Sequence, residues 1–362
     1  MELGVFSFGD IKTDPETGRR RSTGEAIRAL LEAIVLADNV GLDYFGVGEH
    51  HTEQFPASSP ATVLAAAAAA TRRIRLGSSV TVLSTDDPVR VFQQFATVDA
   101  ISGGRAEITA GRGSSIESFP LFGYDVADYD RLYAEKLDLL LQLNRSERVT
   151  WSGTVRPPLE NALVVPRPLA GRLPIWLGTG GSPGSSARAG ELGLPVAYGI
   201  IGGDAHRFAP LADLYRQAAA DAGHDTEIKV AVASPGLVAR DGRVAKDTYF
   251  AHWSAAIAEN GRPGFSTITR ATFDPQVSGR GAIFAGSPSE IAERIVSLHR
   301  SVGHQRQFFQ MDVGNIPQRA VLESIELLAT EVAPIVRAEL PDPPAVPPVF
   351  VHEPALGIDR SP

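Results

Sequence analysis

The chain contains no cysteine among its 362 residues. That excludes a disulfide framework, a thiol nucleophile and a cysteine-held metal, and it makes a cytoplasmic setting the natural expectation. Long apolar runs are missing too: the longest, Ala61 to Ala70, falls far short of the ~20 residues that cross a bilayer. The opening MELGVFSFGD has neither a basic n-region nor an apolar h-region, so it does not read as a signal peptide. Positive charge is in deficit, with 34 Lys and Arg against 42 Asp and Glu and a formal net charge of −8. That sign is wrong for gripping nucleic acid through its phosphates. What remains is ordinary for a folded, soluble chain: 43% hydrophobic and 21% charged residues, which excludes global disorder. A chain this long buries roughly three-quarters of the surface it exposes when unfolded.

Short β-branched runs alternate with longer stretches of helical spacing. The strand-like runs are Leu3–Phe8, Tyr44–Val47, Arg75–Val82, Ala106–Ala110, Ile175–Thr179, Pro195–Ile201, Ile228–Val238 and Gln307–Met311. The helical stretches are Gly24–Val40, Pro60–Thr71, Pro88–Ile101, Asp128–Asn144, Ser185–Leu192, Ala205–Ala222, Ser287–Val302 and Gln318–Arg337. Ile27, Leu30, Leu31, Ile34 and Val35 follow the spacing of a half-buried helix, and Ser287 with Glu290 forms a capping-box pattern. Eight strand–helix repeats predict an α/β fold of the closed (β/α)8 TIM-barrel kind. The open doubly wound sheet is the alternative, but no Gly-x-Gly-x-x-Gly follows the first strand. Two stretches, Gly111–Ala127 and Arg240–Ala285, exceed normal connections and read as loops inserted at the C-terminal face, candidate lids over a site. One domain over 1–340 and a proline-rich tail over 341–362, extended or disordered, complete the organisation.

Three segments could carry chemistry. GEHHTEQF, Gly48 to Phe55, lies at the end of the second strand, where barrel enzymes place catalytic groups. Imidazole is the natural acid/base near neutrality, so His50 is the candidate with Glu49 orienting or polarising it. Strand alternation would turn His50 and His51 to opposite sides, which argues against a two-histidine metal site; one structural and one solvent histidine is the plainer reading. In SGGRAEITAGRGS, Arg112 stands between two glycines, where backbone can approach a ligand and a guanidinium can meet an anion; an ordinary surface arginine is the alternative. In WLGTGGSPGSS, a strand runs into Gly178, Thr179, Gly180, Gly181 and Ser182, and Ser185 opens a helix. Such a turn can cradle a phosphate on free backbone N–H groups, or simply be a tight connection; it lacks the Gly-Lys-Ser/Thr of a triphosphate loop. No lysine sits at a strand end in these motifs, so Schiff-base chemistry of an unrelated barrel is improbable. No metal site is expected.

Taken in order, Gly41 to His51, then LSTDDPVRVFQQFATVDAISGGRAEITAGRG (Leu83 to Gly113), then LGTGGSP, the chain resembles the bacterial luciferase-like family of flavin-dependent oxidoreductases, over nearly its whole length to Arg337. The resemblance implies a (β/α)8 barrel with a flavin at its C-terminal mouth. It implies that His50 assists proton transfer, that Arg112 binds the flavin phosphate, and that Gly181, Ser182 and Ser185 complete the phosphate pocket. It also implies a non-proline cis bond at Ser79–Val80 beneath the flavin ring. The expected cofactor-binding set is thus Ser79, Val80, Arg112, Gly113, Thr179, Gly180, Gly181, Ser182 and Ser185. The family divides between reduced FMN with O2 and a deazaflavin that only transfers hydride. Thr52, Glu53, Gln54 and Phe55 stand where deazaflavin enzymes often carry a tryptophan, which favours FMN. The expected function is a monooxygenase taking reduced FMN from a separate reductase, O2 and a small organic substrate. A deazaflavin dehydrogenase and a non-catalytic flavin-binding barrel are the alternatives. A homodimer is expected, with the alanine-rich second helix at a close contact.

Overall fold

The computed structural model describes residues 1–13, 17–113, 115–224, 228–260 and 268–340. The proline-rich tail at 341–362 lies outside the described residues. Eight parallel strands form the centre: β1 (Glu2–Ser7), β2 (Tyr44–Val47), β3 (Arg75–Ser78), β4 (Ala106–Gly111), β5 (Ile175–Thr179), β6 (Val196–Gly199), β7 (Val230–Val238) and β8 (Arg306–Gln310). Each pairs with the next, and β8 pairs back to β1, Phe309 opposite Val5, so the sheet closes into the expected TIM barrel. The run expected to continue from Arg75 to Val82 is broken at Ser79–Val80, whose peptide bond is cis, and resumes at Thr81–Val82 against β4.

Helices wrap the ring: α1 (Thr23–Val40), α2 (Pro60–Ala70), α3 (Pro88–Ser102), α4 (Tyr129–Arg145), α5 (Pro183–Glu191), α6 (Ala209–Asp221), α7 (Gly242–Asn260), α8 (Arg270–Val277), α9 (Pro288–Val302) and α10 (Gln318–Leu327). Local chemistry sets their ends. Ser22 and Glu25 cap α1 reciprocally, Ser287 and Glu290 do the same for α9, and α1 stops at Gly41, whose φ of +87° a side chain would resist. The single helix expected over Gln318–Arg337 passes through a π turn at Leu328–Val332. The stretch Arg240–Ala285, expected as a loop, instead carries α7 and α8; α8 is held by a Thr269–Thr272 capping box, and both bury aromatic residues, Tyr249 and Phe273, that a solvent loop could not place. The hairpin of Arg148–Trp151 with Leu159–Leu163 was not expected. Its strands are too short and too polar to stand out from a turn-rich connection.

The lower barrel is filled by a charged plug rather than by aliphatic layers alone. Arg306 donates to Glu107 at 2.6 Å and to Glu2 at 2.6 Å, and its guanidinium lies 4.5 Å from the Tyr44 ring centre and 4.6 Å from that of Trp176. Burial alone would raise the Glu107 carboxyl, but the Arg306 charge and hydrogen bonds hold it below the usual carboxylate range. The plug fills that end, and the cavity among the described residues that holds the sequence-expected residues opens at the C-terminal mouth.

Candidate active site

A cavity of about 430 Å³ opens at that mouth, within the range of pockets that bury a drug-sized ligand. Its lining takes in Glu49, His50, Ser79, Val80, Arg112, Gly113, Thr179, Gly180, Ser182 and Ser185, ten of the eleven residues expected from sequence. Gly181 does not reach it. With φ +103° it turns the chain, and a Cβ there would meet the Phe208 ring at 2.8 Å.

The floor is Val80. A Cβ on Gly111 would stand 2.9 Å from the Val80 Cβ and nearer still to its Cγ2, and one on Gly178 would stand 2.8 Å from its Cγ1. Two strands thus carry glycine where the Val80 side chain must pass, leaving a low apolar surface suited to a flat ring.

At one end of the floor are groups for an anion. Ser182 caps α5, its Oγ accepting from the Ser185 N–H at 3.4 Å, and Pro183 opens the helix. Ser185, expected to open that helix, lies one turn inside it, because a serine–proline pair satisfies the cap and first-turn positions better. Thr179 Oγ1 gathers the N–H groups of Gly181 and Ser182 at 3.3 and 3.4 Å. Arg112 faces the same space, with its guanidinium 5.3 Å from the Tyr133 ring centre and Nη1 2.6 Å from Asp130. Asp130 is 82% exposed, so that pair is a surface ion pair worth little, and Arg112 can exchange it for a ligand at small cost.

At the other end stands His50, its ring centre 4.8 Å from Phe8 and 4.9 Å from Phe55. Its carboxylate partner is Glu117, not Glu49: His50 Nδ1 lies 2.8 Å from Glu117 Oε1. Glu49 instead takes the His51 Nε2–H at 2.9 Å and the Val82 N–H at 2.8 Å. The expected Glu49–His50 pairing fails because both residues lie beyond the end of β2, where side chains no longer alternate; the same departure brings His51 into the cavity wall beside His50. Burial would raise the Glu117 carboxyl, but hydrogen bonds from His50 and backbone keep it below the usual carboxylate range. An ionised Glu117 must accept, so His50 Nδ1 carries the donated proton. Its Nε2, which has no hydrogen-bond partner among the described residues, is left as the basic nitrogen.

Sequence reasoning missed Glu117, His51 and Phe8. The signal for Glu117 was only its position in the Gly111–Ala127 insertion, beside the one-turn helix Ser118–Leu121.

A family model for luciferase-like monooxygenases matches residues 1–305. The chain belongs to that family. Members are flavin-dependent, and the cavity suits a flavin: a flat apolar floor, an anion cradle at one end and a polarised histidine at the other. A 4-hydroxyprotoasukamycin monooxygenase of Streptomyces nodosus subsp. asukaensis is 34% identical over 47% of this chain and 47% of its own length. An F420-dependent glucose-6-phosphate dehydrogenase of Beutenbergia cavernae is 35% identical over 46% of this chain and 51% of its own. The chain thus spans about half the length of each of these two relatives. Among solved structures, the monooxygenase RslO1 of Streptomyces bottropensis superposes with a TM-score of 0.79 at 23% identity, covering 92% of this chain and 99% of that one. The oxygenating constituent of 3,6-diketocamphane monooxygenase of Pseudomonas putida, solved with FMN, gives 0.74 at 20%, covering 92% and 98%. These likenesses agree with the barrel. No described helix is long and apolar enough to cross a membrane.

Proposed function

We propose that this protein is a monooxygenase that uses reduced FMN and O2 to place one oxygen atom on a small organic substrate, the other leaving as water. The observation that carries this reading is that one cavity holds both ends of a flavin-sized site: Arg112 with the α5 cap for a phosphate, and His50 with Glu117 for proton handling. Bound reduced flavin would supply the two electrons and the reaction with O2; the chain binds, orients and keeps the chamber dry. Arg112, Gly113, Thr179, Gly180, Ser182 and Ser185 hold the phosphate end. Ser79 and Val80 support the ring, while Gly181 contributes the turn rather than a contact. His50 Nε2 takes or returns a proton at the substrate, and Glu117 fixes its tautomer. Glu49 acts on His51 and on the Val82 backbone.

Reduced FMN arrives from a separate reductase, and the protein works in the cytoplasm as a homodimer. The second reading is a deazaflavin-dependent dehydrogenase, favoured by the 35% identity to an F420-dependent relative. Parallel binding of FMN and deazaflavin, followed by aerobic and anaerobic turnover, separates the two. Tight FMN binding with substrate-dependent O2 uptake supports the first. Anaerobic substrate oxidation with deazaflavin alone overturns it. FMN binding without turnover on any substrate would leave a non-catalytic flavin barrel.

A further inference from the structure

Glu49 and His51 line a second space as well as the main cavity. It is a side pocket of about 80 Å³, bounded outward by the exposed Ser58 and Ser59 and inward by Glu49, His51, Thr81 and Asp86. It is too small for an organic substrate but has room for a few waters. Its wall carries a mark of hydration: Thr81 is 4% exposed, and its Oγ1 has no hydrogen-bond partner among the described residues. A buried hydroxyl facing a polar pocket is ordinarily satisfied by water. The Asp86 carboxylate accepts at 2.7 Å from the N–H of its neighbour Asp87.

We propose that this pocket is a proton inlet, in which Asp86, ordered water and Glu49 pass protons between solvent and the flavin chamber while His51 positions Glu49. The inference rests on the flavin reading above. The transfer is balanced at every step: a hydronium entering past Ser58 and Ser59 gives a proton to Asp86, Asp86 gives one to pocket water, the water gives one to Glu49, and Glu49, which lines both spaces, gives one to water on the chamber side. The His51 Nε2–H, donated to Glu49, holds the carboxylate in place. Every group returns to its starting state, no electron moves, and the chamber need not open to bulk water. The charged groups facing Asp86 are Glu49 across the pocket, Asp87 beside it and Lys136 from α4; those facing Glu49 are His51 and Asp86. Burial chiefly, with the Glu49 charge adding to it, lifts the Asp86 carboxyl above the usual range, which suits a group that binds and releases protons rather than one locked ionised. His50, tied to Glu117, remains the group at the substrate; His51 and Glu49 act through it or through chamber water, as positioning and relay residues.

The test is Asp86→Asn and Glu49→Gln in the full chain. The first readout is exchange of the His51 ring N–H with solvent, followed by NMR on 15N-histidine-labelled protein without flavin. The second is the pH profile and solvent isotope effect of turnover with reduced FMN. Both variants are expected to slow the exchange on the order of tenfold or more, to enlarge the isotope effect, and to leave FMN affinity nearly unchanged. Acetate or imidazole is expected to restore turnover in Asp86→Ala and not to change the wild type. Unaltered exchange with an unaltered pH profile overturns the inlet. If the carboxylate variants fail to fold, the isosteric Thr81→Val gives the same reading, and unchanged exchange in it also overturns the proposal. Wild-type protein that binds no FMN would instead count against the flavin reading, while the exchange result in flavin-free protein would still stand.

Discussion

His50 Nδ1 meets Glu117 Oε1 at 2.8 Å across a gap of 67 residues in the sequence, joining the end of β2 to the insertion after β4. The contact sets which imidazole nitrogen is basic, and it makes the insertion part of the wall that orients His50 rather than only a cover. His50→Ala is expected to lower turnover by about a hundredfold or more with FMN affinity nearly intact. Glu117→Gln is expected to lower it by a smaller factor, because the ring keeps its place but loses its fixed tautomer. The pairing is present above the ordinary carboxylate pKa and is lost as pH falls through the depressed value of Glu117. Turnover against pH, alongside a fluorescence titration of FMN, checks both variants.

Among the described residues, Arg112 is the one arginine or lysine lining the cavity at the anion cradle. Arg112→Ala is expected to weaken FMN binding by about tenfold to a hundredfold, the worth of one charge-assisted hydrogen bond. Arg112→Lys should recover only part, since an ammonium cannot offer a planar fork. Unchanged affinity in Arg112→Ala would remove it from the site.

Gly111 makes room for the Val80 side chain. Gly111→Ala is expected to displace Val80, costing about 1–3 kcal/mol of stability and lifting the floor into the ligand. Paired with Val80→Ala, which removes the nearest methyl group but keeps the Cβ at 2.9 Å, the substitution should cost less without becoming neutral. A denaturant series on the single and double variants, with FMN binding on each, measures the coupling.

Glu107 and Arg306 form the barrel plug, both 4% or less exposed. Glu107→Gln leaves the guanidinium, among the described residues, with the half-exposed Glu2 as its remaining ion-pair partner, and is expected to cost about 3 kcal/mol or more, read from the urea midpoint. The plug lies at the closed end, so FMN affinity of the folded fraction should hold.

Burial, helped by nearby His299, lowers the His304 pKa from 6.5 to about 3. The unfolded chain therefore binds a proton there before the folded protein does. Stability from this group is full above pH 6.5 and is lost as pH falls towards about 3. His304→Leu is expected to flatten the acid side of a melting-temperature profile between those limits. An unchanged slope would assign acid sensitivity elsewhere.

The repeating alternation of short β-branched runs and amphipathic stretches was enough to predict a closed barrel, because each strand and helix obeys a local period and carries its own caps, as Ser22–Glu25 and Ser287–Glu290 do. The motifs after the strands, together with the family resemblance they carry, pointed to the mouth and to ten of its lining residues, Ser79 and Val80 by the resemblance alone. Past the strand ends, local periodicity carries no information about partners. Beyond Val47 the strand no longer dictates side-chain direction, and adjacency made Glu49 the natural partner of His50. Only folding the insertion back across β2 decides that Glu117 takes that place and that Glu49 turns to His51 and Val82. The same holds for α7 and α8. Their burial depends on aromatic contacts such as Tyr249 with Phe273, made between segments whose sequences carry weak helical signal alone. Local sequence determined the frame; which charges meet inside it is settled by long-range contact, since hydrogen bonds form with whatever donor the fold brings within 3 Å or so.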